Sequence, residues 1–104
     1  MILTPKVQEK LFELSKRRFS NWSTRQVSGY VHGIVDGLTR KQPRRVYVRN
    51  YHEADRYAIG YIDGFVAAYG PDVFVDSWTK YMVINPDNIE HRWWDKCLNE
   101  TDNG

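Results

Sequence analysis

Apolar residues recur at helical spacing along most of the chain. Val7, Leu11 and Leu14, with Phe12, form the first stripe, and Thr4-Pro5 ahead of them is a helix start. A side-chain oxygen sits at the cap, and proline occupies the first helical position, where its missing N–H costs nothing. The spacing predicts a helix over 5–18 that ends in Lys16-Arg17-Arg18, cations suited to the negative end of its dipole. Phe19 and Trp22 flank a short turn, and Ser23-Thr24-Arg25-Gln26 reads as a capping box that launches the next helix.

The next stripe occurs twice. Arg25-Gln26-Val27-Ser28-Gly29-Tyr30-Val31-His32-Gly33-Ile34-Val35 aligns with Arg56-Tyr57-Ala58-Ile59-Gly60-Tyr61-Ile62-Asp63-Gly64-Phe65-Val66 at a shift of 31 residues. A fixed-period match means one supersecondary unit used twice. The repeat predicts helices over about 24–37 and 51–69, the second capped by Asn50 and stopped by Gly70-Pro71. Each has a small-residue stripe, Gly29, Gly33 and Gly37 in one and Gly60, Gly64 and Ala68 in the other, beside an apolar arc. Four interior glycines cost about 3–4 kcal/mol relative to alanine, so something must offset them. The simplest partner for one stripe is the other, which predicts a Gly-striped helical hairpin packed through Gly29, Gly33, Gly60 and Gly64.

Between the repeats, Val46-Tyr47-Val48 alternates and could form a short extended segment near 45–49. Past them, Val73, Phe74, Trp78, Tyr81 and Met82 fit a helix beginning at Pro71, while Val73, Val75, Val83 and Ile84 would equally suit strands. Asn85-Pro86 is another cap-plus-proline start, with Ile89, Trp93 and Cys97 on one face of a final helix near 86–98. The polar tail after it is expected to fray. Helical segments with short connections predict one compact all-α domain over 1–104, its C-terminal helical region at 71–98.

Length and composition narrow the class. At 104 residues the chain can build one modest core, and four Trp, seven Tyr and four Phe supply large side chains for it. No apolar run approaches the ~18–20 residues of a membrane span. Met1-Ile2-Leu3-Thr4-Pro5-Lys6 lacks a basic start followed by an apolar segment, so no signal peptide is expected. The single Cys97 excludes an internal disulfide and fits a reducing cytosol, so a cytoplasmic location is expected. The net charge of +2 hides an asymmetry. Residues 1–50 hold eleven Lys and Arg against three Asp and Glu, a net +8, and residues 51–104 hold four against ten, a net −6. The basic part could meet phosphate. The acidic part could meet a basic protein or the basic half of a second copy, giving a homodimer.

Candidate chemistry is sparse. His32 and Asp36 lie four apart on one helix face, with Arg25 on the same edge, and Asp63 is the repeat equivalent of His32. Together they could bind a divalent metal or act as an acid–base pair, but no ligand string of the His-Glu-x-x-His type is present. A helix-edge ion pair is the simpler reading, and no catalytic residue, metal or cofactor is expected. The connection offers a stronger signal. Arg40, Lys41, Arg44, Arg45 and Arg49 surround Tyr47 with no acid among them, and Lys16, Arg17 and Arg18 could extend the patch. Arginine forks suit phosphate, and an aromatic face can stack on an unpaired base. Trp93-Trp94 is a candidate protein-binding anchor, since the two rings point about 100° apart and one can lie near the surface.

Gly29-Tyr30-x-x-Gly33-Ile34, the basic proline-containing connection and the Arg56-led second Gly-aromatic helix resemble ribosome modulation factor over residues 25–68. Tyr61 stands where that family has Trp. The resemblance implies a small helical bacterial protein that binds the small ribosomal subunit and favours inactive ribosome dimers. The sequence thus leads to a non-enzymatic binding protein that contacts RNA, the ribosome or another polyanion through its basic connection. The alternative is a small phage-type regulator that inhibits a host enzyme or defence complex through its acidic, Trp-containing C-terminal third.

Overall fold

The computed structural model describes residues 3–39, 56–69 and 91–102, and every regular element among them is helical. Helix α1 spans Pro5–Arg18, α2 Thr24–Thr39, α3 Arg56–Tyr69 and α4 Trp94–Asp102. The result is a compact, mostly helical domain. The extended segment near 45–49, the start proposed at Asn50, and the helix-or-strand choice over 72–84 lie outside the described residues. So do the proposed Asn85-Pro86 start and the basic residues Arg40, Lys41, Arg44, Arg45 and Arg49 with Tyr47.

The caps of α1 and α2 follow local chemistry. Thr4 is extended and its hydroxyl accepts the Val7 N–H at 3.2 Å, with Pro5 in the first turn. Three cations close α1, and the Phe19 N–H returns to the Ser15 carbonyl at 2.8 Å. Ser23 Oγ accepts the Gln26 N–H at 3.2 Å and starts α2.

The main packing event is α2 against α3, which make the most extensive contact between any two described helices. A Cβ built on Gly29 would overlap the Tyr57 carbonyl oxygen and sit 2.8 Å from its carbon. One on Gly33 would overlap the Tyr61 oxygen and sit 2.7 Å from the Phe65 nitrogen. Gly60 meets the Gln26 carbonyl in the same way, and Gly64 meets that of Tyr30. Residue numbers rise together along the two helices, so the pair runs parallel. An αα-hairpin is antiparallel, so the hairpin geometry expected from the repeat is corrected. Only the direction changes: either orientation brings two glycine stripes together, and the repeat alone does not choose between them.

The parallel contact is also two-fold symmetric in the chain's own repeat. Adding 31 to Gln26 and Gly29 gives Tyr57 and Gly60, so the Gly29–Tyr57 and Gly60–Gln26 contacts are one contact seen from both sides. The Gly33–Tyr61 and Gly64–Tyr30 contacts are related likewise. At each, a glycine Cα–H points at a carbonyl oxygen, an interaction of about 0.5–1 kcal/mol. Four of them are comparable to the propensity cost of the four glycines.

The pair has two flanks, and they differ. Leu11 of α1 with Trp94 and Leu98 of α4 covers one flank, packing on Tyr30, Val31, Ile34, Ala67 and Ala68. Every residue of α3 from Ala58 to Ala68 is buried.

The C-terminal helix starts later than the apolar spacing predicts. His91, Arg92 and Trp93 form a turn, α4 begins at Trp94, and it continues through Asp102, where fraying was expected. Arg92 takes a left-handed backbone, φ 52°. Its N–H donates to the Ala67 carbonyl at 3.0 Å and its Nε to the Ala68 carbonyl at 3.1 Å. These carbonyls belong to the last turn of α3, which has no intrahelical donors left, and the guanidinium also sits at the negative end of the dipole. Arg92 is thus the C-terminal cap of α3, supplied from a distant segment.

Candidate functional site

On the flank opposite α1 and α4, two polar links tie α2 to α3. His32 Nδ1 and the Tyr57 hydroxyl are hydrogen-bonded at 2.6 Å, and one turn on, the buried Tyr61 hydroxyl donates to Asp36 Oδ2 at 2.7 Å. The Tyr57 and Tyr61 rings stack at 6.5 Å. His32 is exposed, and Asp36 is buried with one oxygen engaged by Tyr61. These contacts clamp the edge of the seam.

Asp63 belongs to the other flank. It lies two residues from Tyr61, about 200° around the helix, and one turn before Ala67, which packs in the core cluster. His32, Asp36 and Asp63 therefore do not converge. Among the described residues, no three His, Cys, Asp or Glu side chains group to hold a metal. Asp63 is only 6% exposed, its Oδ1 finds no hydrogen-bond partner among the described residues, and burial pushes its pKa up to about 7. Where the first repeat presents the exposed His32, the second buries an acid, so the two-fold symmetry of the pair does not extend to its surroundings.

The same asymmetry places the tryptophans. The repeat equivalent of the Tyr61–Asp36 link is Tyr30–Ala67, which offers no carboxylate. Tyr30 instead accepts the Trp93 indole N–H at 2.8 Å. Trp94 has no exposed surface, so it is a core side chain, and its assignment as a contact anchor is corrected. The turn at 91–93 decides this, since it starts α4 with Trp94 facing inward. Trp93 is half-buried, with the Arg18 guanidinium 4.6 Å from its ring centre.

Lys16, Arg17 and Arg18 are all exposed. Lys16 lies 5.9 Å from the Phe12 ring centre, and neither Lys16 nor Arg17 is paired with a carboxylate among the described residues. Beside them is a cluster that sequence reasoning noted only as turn-flanking rings. Phe19 and Trp22 stack at 4.0 Å with planes 9° apart, and Phe19 meets Tyr30 and Trp93 edge-on. The available signal was Phe19 and Trp22 within four residues of a run of cations.

Compared with protein-family models, characterised proteins and solved structures, the chain finds no match. The likeness to ribosome modulation factor therefore rests on its motif residues alone.

Proposed function

We propose that this chain is a non-enzymatic binding protein that contacts RNA, free or in the ribosome, or another polyanion through its basic half. The observation that carries the reading is the exposed run Lys16-Arg17-Arg18, which lies in a half of the sequence with net charge +8 over residues 1–50. Lys16 and Arg17 point to solvent with no acidic partner among the described residues, so phosphate can approach them without first displacing a carboxylate. The five basic residues of the connection, Arg40, Lys41, Arg44, Arg45 and Arg49, would add to the same field. The separation of His32 and Asp36 from Asp63 supports binding over catalysis. A pull-down from bacterial lysate with and without nuclease tests the reading. Capture of RNA, with co-purifying proteins lost on nuclease treatment, is expected. Nuclease-resistant capture of one protein with no RNA would overturn it in favour of the protein-binding regulator.

A further inference from the structure

We infer that the polyanion is single-stranded RNA, with an unpaired base stacking on Trp22 and the adjoining phosphates held by Lys16 and Arg17. The inference rests on the RNA reading above and adds the form of RNA and the residues that read it.

Trp22 lies in the turn between α1 and α2, half-buried, with exposed Ser20, Asn21 and Ser23 around it. Its inner face is stacked on Phe19, and its only other ring neighbour among the described residues is Tyr30, met edge-on at 5.5 Å. Trp22 therefore terminates a stack, and no ring among the described residues covers its outer face. Phe19, held by Trp22, Tyr30 and Trp93, backs the platform rigidly. A fixed aromatic plane that ends a stack suits a nucleobase of any identity, whereas a duplex keeps its base faces internally stacked. Charge sets the polarity of the partner. Lys16 and Arg17 stand within six residues of Trp22 on the last turn of α1, exposed and without acidic partners among the described residues. A purely apolar peptide would leave them unused, and a duplex would leave the platform unused.

The test compares a short oligouridine with an RNA duplex of equal length at low salt, using the full chain, Trp22→Phe, Trp22→Leu and Lys16→Gln/Arg17→Gln. Base–aromatic stacking converts to about a tenfold affinity change per base. The single strand should bind about tenfold tighter than the duplex, with tryptophan fluorescence quenched. Trp22→Phe should keep that preference, and Trp22→Leu, checked for an unchanged helical circular dichroism spectrum, should lose it. The double Gln variant should weaken both ligands. Equal binding of strand and duplex, equal binding of polyglutamate, or an unaffected Trp22→Leu would overturn this inference and leave general polyanion binding standing. If Trp22→Leu does not fold, unquenched fluorescence of the parent with bound oligouridine overturns it instead. No binding of any RNA at low salt would overturn the function proposed above as well.

Discussion

Replacing Gly33 by alanine should destabilise the protein, although alanine is the better helix former. In an open helix the change would gain about 1 kcal/mol. Here the new methyl would overlap the Tyr61 carbonyl oxygen and sit 2.7 Å from the Phe65 nitrogen, against an ordinary contact of 3.4 Å or more. Both obstacles are backbone, so no rotamer change relieves them, and the helices must separate by at least 0.7 Å at that point. Separation there also lifts the glycine contacts at Gly29, Gly60 and Gly64, because all four lie on one seam. Overpacking of this kind costs about 1–3 kcal/mol, and losing several Cα–H···O contacts adds about 0.5–1 kcal/mol for each. Against the propensity gain, the net expectation is a loss of about 2–3 kcal/mol, or roughly 10–20 °C in Tm for a domain of this size. The two-fold relation sharpens the expectation. Gly64→Ala, facing the Tyr30 carbonyl, should cost about as much as Gly33→Ala, and the double variant should cost less than the sum, since the first methyl already opens the seam. Urea denaturation followed by circular dichroism measures all three. A Gly33→Ala protein as stable as the parent, or more so, would refute the close parallel packing.

Substitutions at two further positions probe the buried acid and the cap. Asp63 has its pKa raised by burial from 3.8 to about 7, so between these values the unfolded chain has released a proton that the folded one keeps. Stability should therefore fall as pH rises from about 4 to 7 and level off above, and Asp63→Asn should flatten that fall and gain stability at pH 8. A parent whose urea midpoint does not decline over this range would contradict the assignment. Arg92→Gly keeps the N–H to Ala67 and relieves the left-handed backbone, whereas Arg92→Ala keeps the strain. Both lose the bond to Ala68, so the glycine variant should be the more stable by about 1 kcal/mol in the same denaturation assay.

Much of the fold was legible where local chemistry decides it. Thr4-Pro5 and Ser23 ahead of Gln26 are local capping signals that need no tertiary partner, and α1 ends at the three cations. The parallel direction was not legible, since a repeat with small stripes satisfies either two-fold axis. The only hint was a connection longer than a hairpin turn. The fates of His32 and Asp63 were hidden for a related reason: the repeat makes the two positions equivalent, and tertiary surroundings, which the repeat does not encode, separate them. Arg92 carried no signal, because a cap supplied from another segment has no local pattern. The Trp22 platform could have been suspected from its neighbours in sequence, but the 9° stacking on Phe19 is a tertiary result.

The salt dependence of RNA affinity tests the proposed RNA binding most directly. For a single strand, each phosphate neutralised contributes about 0.7 to the slope of log K against log salt. Replacing Lys16, Arg17, Arg44 and Arg45 by Gln should lower the slope by about 3 while leaving the circular dichroism melt unchanged. An unaltered slope in that variant, or no RNA binding by the parent at low salt, would contradict the account.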